Sequence, residues 1–151
     1  MPFLFDTDAI SELFKPRPAS SYQQWLRFIP REDQFVSAVT VGELYWGAHR
    51  SRDRDRHLEN IEGKVIPAVT VLPFDVAVAR MYGQIRAELE QVGRPLADAD
   101  LQIAATALFH GLELVTGNIR HFGRVPELAI NSMLYEAKQE EKRKGRADPT
   151  C

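Results

Sequence analysis

The chain has 151 residues, 44% of them hydrophobic and 26% charged, which suits one soluble domain with a real hydrophobic core. Its 19 basic and 21 acidic residues give a net charge of -2, so there is no global signal for nucleic acid, although local contacts to RNA stay open. The single cysteine, Cys151, excludes an internal disulfide. No apolar run suffices to cross a membrane and the start lacks the pattern of a signal peptide, so the expectation is a cytoplasmic chain with no membrane partner.

Phe3-Leu-Phe5 is too short for a buried helix and suits a central strand. It runs through Asp6-Thr-Asp8 into a helical pattern, Ile10, Leu13 and Phe14, which Pro16 and Pro18 stop. A strand entering a helix through an acid-rich turn marks the carboxyl end of a sheet strand, where open α/β sheets bind ligands. Tyr22, Trp25, Leu26 and Ile29 give a helix face ended by Pro30, and Gln34–Ser37 reads as a second strand. The helix expected over Thr40–Ala48 places Glu43 in its first turn, where the helix dipole favours an anion.

Arg50 to Arg56 alternates in charge, which fits either a solvated helix face or a row of phosphate-contacting arginines. A third strand is expected within Val65–Phe74. Asp75 can cap a long helix from Val76 to about Val92, closed by Gly93. Asp98 and Asp100 open a small-residue helix with Leu101, Ala104, Ala105 and Leu108 on a narrow apolar face, and His110-Gly111 ends it. Leu112–Thr116 is a fourth strand and Leu128–Ile130 a short edge strand. The segment from Glu136 to Cys151 is charged and has little to bury, so it is expected to be a frayed helix or disordered. Alternating strands and helices imply a three-layer α/β/α fold with a mainly parallel sheet of four or five strands.

Asp6, Glu43, Asp98 and Asp100 all follow short apolar elements or open helices, positions that share one edge of a parallel sheet. Carboxylates pressed together raise one another's pKa, and a divalent cation relieves the repulsion. An all-oxygen set suits Mg²⁺ or Mn²⁺ and disfavours zinc. Phosphate-ester displacement is the chemistry that needs such a site.

The segments Phe-Leu-Phe-Asp6-Thr-Asp-Ala-Ile-Ser-Glu-Leu, Ser-Ala-Val-Thr-Val-Gly-Glu43-Leu, Asp100-Leu-Gln-Ile-Ala-Ala and Leu-Val-Thr-Gly-Asn118-Ile-Arg-His-Phe occur in one order across roughly residues 3 to 130. In this the chain resembles the PIN-domain ribonucleases, specifically the VapC-type toxins of bacterial toxin–antitoxin pairs. The resemblance implies a Mg²⁺-dependent endoribonuclease over residues 1–132, with a charged tail over 133–151. It implies Asp6 and Asp100 as the principal metal ligands. Glu43 would bind metal through water or orient the attacking water. It further implies an RNA substrate, a homodimer and a VapB-type antitoxin.

Two departures from the family pattern stand out. Many members carry a further acid where this chain has Asn118, and Asp98 is the candidate substitute as a fourth ligand. Asp8 stands where relatives commonly show Asn, as a helix cap or a supporting residue. Thr7, Thr116, Asn118 and Arg120 are candidate supporting or substrate-contacting residues, and His121 a weaker one.

Asp6-x-Asp8 after a strand also resembles the haloacid-dehalogenase phosphatases. That reading makes Asp6 a nucleophile and gives Lys64 a later role, but it leaves Glu43 without one. A catalytically weak binding module is the non-enzymatic alternative.

Overall fold

A computed structural model describes residues 2–147; the last part of the charged tail, with Cys151, lies outside the described residues. Five short strands form the sheet: β1 (Phe3–Phe5), β2 (Gln34–Ser37), β3 (Thr70–Leu72), β4 (Glu113–Val115) and β5 (Ile130–Asn131). They pair in the order β3-β2-β1-β4-β5, all parallel. The chain steps outward from β1 to β2 and β3, then returns to β1's other side with β4. The crevice at the carboxyl ends of β1 and β4 is therefore a topological switch point, where sheets of this kind bind ligands.

Strand alternation splits the core in two. Leu4 and Leu114 face one cluster with Val78, Ile85, Leu89 and Leu101. Phe3, Phe5 and Val115 face the other with Ile10, Tyr22 and Leu134. Helices cover both faces, giving the expected three-layer fold. On one side lie α5 (Val76–Gln91) and α6 (Asp98–His110); on the other lie α1 (Thr7–Ser11), α2 (Ser20–Leu26) and α8 (Met133–Ala147). Helix α3 (Ala38–Arg50) leads through a turn into α4 (Arg54–Asn60), which widens into a π-helical turn over Ile61–Val65. The short α7 (Ile119–Phe122) follows β4.

Local chemistry explains most of the boundaries. The Asp75 carboxylate accepts from the Val78 N–H and caps α5. Gly93 and Gly111 adopt φ of 68° and 64°, the left-handed conformation that closes α5 and α6.

Three expectations change. Helix α3 begins at Ala38, because the Ser37 hydroxyl accepts from the Val39 N–H and starts the helix straight off β2. Glu43 therefore sits in the second turn, not the first. Helix α6 is not apolar on a narrow face only: Ile103 and Ala107 are as buried as Leu101 and Ala104, since α6 packs against α5 as well as the sheet. The charged tail is helical from Met133, one of the two states expected of it, but it has more to bury than its composition suggests: Leu134 and Ala137. Hydrogen bonds from the Ser20 and Ser21 hydroxyls to Glu141 and Glu140 dock it beside α2.

Candidate active site

Asp6 follows β1 directly, and its N–H still donates to the Val115 carbonyl, so the sheet fixes its backbone. Its side chain caps α1: Oδ1 accepts from the Ala9 N–H at 2.7 Å. The residue is 4% exposed. Burial pushes its carboxyl from 3.8 up to about 7; hydrogen bonds from Thr116 and Ala9 oppose the rise, and Asp8 and Asp100 add to it.

Asp6, Thr7, Asp8, Glu43, Asp100 and Asn118 line one open cleft of about 420 Å³ at the carboxyl ends of β1 and β4. Thr7 does not stand free to hold a phosphate oxygen: its hydroxyl donates to Glu43 Oε1 at 2.6 Å, linking α1 to α3. That bond fixes one Glu43 oxygen and leaves the other to accept. Asp100, in the first turn of α6, lies within hydrogen-bonding distance, 2.7 Å, of His121 Nε2 on α7. His121 is thus a closer part of the site than its place in the sequence suggests. Thr116 is buried, and its hydroxyl accepts from the Asn118 N–H, shaping the turn after β4.

Other sequence candidates fall elsewhere. Asp98 is bound to Tyr82 Oη and Arg86, each at 2.9 Å, and does not line the cleft. Arg120 is exposed on α7 with no side-chain bond among the described residues. Lys64 lines a different cavity with Phe5 and Leu13, and Asp8 is paired with Lys138 Nζ at 3.0 Å. The phosphatase reading therefore loses its lysine and its free second aspartate. Trp25 is a core residue, edge-on to Phe3 and stacked on Tyr22.

A larger groove of about 580 Å³ adjoins the cleft and shares Thr7, Ser11 and Glu43 with it. Its walls include Lys15, Trp46, Arg50 and Arg56, with the Arg50 guanidinium 4.3 Å over the Trp46 ring. The arginine run is thus partly a groove wall. Lys138 was hidden by the charge of the tail; Leu134, one turn before it, was the sequence clue that this helix face turns inward.

Among the described residues no three His, Cys, Asp or Glu side chains converge closely enough to hold an ion by themselves. The donors lining the cleft fit a hard divalent cation all the same. All are oxygens, and Mg²⁺ typically takes one or two carboxylates and completes its shell with water and substrate phosphate. The raised Asp6 pKa is the electrostatic cost that such a cation would cancel.

The chain is similar to known proteins over most of its length. The PIN domain family model matches residues 3–128. The chain is 38% identical over 125 residues to the tRNA(fMet)-specific endonuclease VapC of Shigella flexneri, covering 83% of this chain and 92% of that protein. The crystal structure of FitAcB from Neisseria gonorrhoeae superposes with a TM-score of 0.80 at 34% identity, covering 87% of this chain and 97% of that one. DNA-bound VapBC from Salmonella typhimurium gives 0.76 at 33% identity, again covering 87% and 97%. PIN nucleases are in general dependent on divalent metal. The chain belongs to the PIN-domain family, among its VapC-type ribonuclease toxins.

Proposed function

We propose that this protein is a Mg²⁺-dependent endoribonuclease toxin, acting in the cytoplasm as a homodimer and held inactive by a VapB-type antitoxin. The observation that carries the reading is the cleft itself: Asp6, Glu43 and Asp100, from three separate elements, open into one space at the switch point of the sheet. Among the described residues no helix is long and apolar enough to cross a membrane.

Asp6 and Asp100 would hold the metal, with Glu43 reaching it through water. When bound, the cation would lower the pKa of a water and take up charge developing on the phosphate. Glu43, its other oxygen anchored by Thr7, accepts the proton of the attacking water. His121 holds the Asp100 carboxylate in place from behind. Asn118, at the cleft wall, offers an amide to a water or a phosphate oxygen without adding charge. The adjoining groove continues the path of a single strand, with Trp46 and Arg50 placed for base and phosphate contacts.

The test is cleavage of RNA by purified protein in Mg²⁺, in Mn²⁺ and in EDTA, for wild type and Asp6→Asn. Because the Shigella relative is named for tRNA(fMet), that RNA is the first substrate to try. Cleavage that requires the metal and is lost in Asp6→Asn supports the reading; cleavage that persists in EDTA or in the variant refutes it.

A further inference from the structure

Helix α8 lies beyond the residues 3–128 matched by the family model, yet it touches a residue that lines the cleft. Leu134 and Ala137 are buried against the sheet face that carries α1. This turns Lys138, one helical turn beyond Leu134, toward Asp8. The Lys138 ammonium meets Asp8 Oδ2 at 3.0 Å, and Asp8 lines the cleft with Asp6, Glu43 and Asp100. Gly117, after β4, makes room for the pair. A Cβ at that position would come within 2.8 Å of Asp8 Oδ2 and 3.3 Å of Lys138 Nζ.

We propose that Lys138 is a positioning residue of the active site, acting through Asp8: it neutralises the extra carboxylate and so sets the charge that metal and RNA meet in the cleft. The inference rests on the ribonuclease reading for its purpose, but not for its test. Four carboxylates in one cleft would over-bind a divalent cation and repel the phosphates of RNA. An ammonium on the outermost one corrects both, because it lowers the field at the metal and raises it at the incoming strand. Half-buried beside Leu134, Lys138 is screened less than a lysine in open water.

Charge compensation moves the two ligands in opposite directions, which a merely structural contact cannot do. Lys138→Met is expected to bind Mn²⁺ about threefold or more tighter, from one unit of charge near the site. The same variant should bind a single-stranded oligoribonucleotide in EDTA weaker by a similar factor. Asp8→Asn combined with Lys138→Met, neutral at both positions, should return both affinities to within about twofold of wild type. Lys138→Arg should stay close to wild type in both. The measurements are a Mn²⁺ titration of the RNA-free protein and fluorescence anisotropy of the labelled RNA, so neither needs turnover.

Mn²⁺ affinity that falls or stays unchanged in Lys138→Met overturns the proposal, as does a double variant that fails to restore both ligands. If the wild type cleaves no RNA, the ribonuclease reading fails by itself. The opposed shifts in Mn²⁺ and RNA affinity still decide the role of Lys138.

Discussion

Replacing Asp6 with Asn should stabilise the metal-free protein at neutral pH while destroying its activity. Asp6 is 4% exposed, and burial lifts its carboxyl from 3.8 to about 7. The folded chain thus binds this proton more tightly than the unfolded chain does. The favourable contribution is whole below the unfolded pKa and is lost as pH rises through the folded value of about 7. At pH 8 the folded protein carries the full cost of the buried charge, up to about 4 kcal/mol from the size of the shift. Asn keeps the shape and caps a helix as well as Asp does, so the Ala9 N–H retains its acceptor.

Urea denaturation in EDTA reads the effect as a difference between Asp6→Asn and wild type, which cancels other titrating groups. The two should agree closely near pH 4 and separate steadily toward pH 8, with the variant the more stable. Saturating Mg²⁺ should then narrow the gap at pH 8, because only the wild type gains stability from the ion. A gap that is the same at every pH, or a variant less stable than wild type at pH 8 in EDTA, would refute the account of Asp6 as a carboxylate kept in strain for a cation.

Thr7→Val frees the Glu43 oxygen that Thr7 now holds at 2.6 Å, and kcat should fall roughly tenfold with little change in KM; a KM effect alone would mean that Thr7 contacts RNA instead. His121→Ala should weaken Mn²⁺ binding by about tenfold or more, the usual effect of removing a partner that orients a ligand, and an unchanged titration would exclude that role. Asp98→Asn breaks an exposed contact with Arg86 and should leave metal affinity and cleavage within about twofold of wild type. Leu134→Ala should cost about 2–5 kcal/mol in urea denaturation; a loss below about 1 kcal/mol would mean that α8 is not anchored by its core contact.

The sheet was legible because each strand is a short apolar run bounded by turns, and in β1 Leu4 serves one core layer while Phe3 and Phe5 serve the other. The helix readings that changed have separate causes. Periodicity records which residues are apolar but not how many neighbours will cover them. Helix α6 packs against α5 as well as the sheet, so Ile103 and Ala107 are buried along with the expected face. The start of α3 turned on a single hydroxyl, since Ser37 reads equally well as the end of a strand and as a helix cap. In α8 the apolar signal shrinks to Leu134 and Ala137 in a helix otherwise dominated by charge. That was too little to outweigh composition, and Lys138 was lost with it.

Helix geometry separates Asp98 from Asp100. Both belong to α6, and residues two apart on a helix point to nearly opposite sides. If one faces the cleft, the other cannot. The charge absent at Asn118 therefore has no substitute in Asp98, which is bound to Tyr82 and Arg86 on α5. The additional acid in the cleft is Asp8, contributed by α1, and it comes with a counter-charge that Asp98 could not have brought there. An acid at the Asn118 position would have added charge at the cleft wall without a paired cation. Asp8 adds a carboxylate together with the ammonium of Lys138, so the field left for the metal stays near that of Asp6, Glu43 and Asp100 alone.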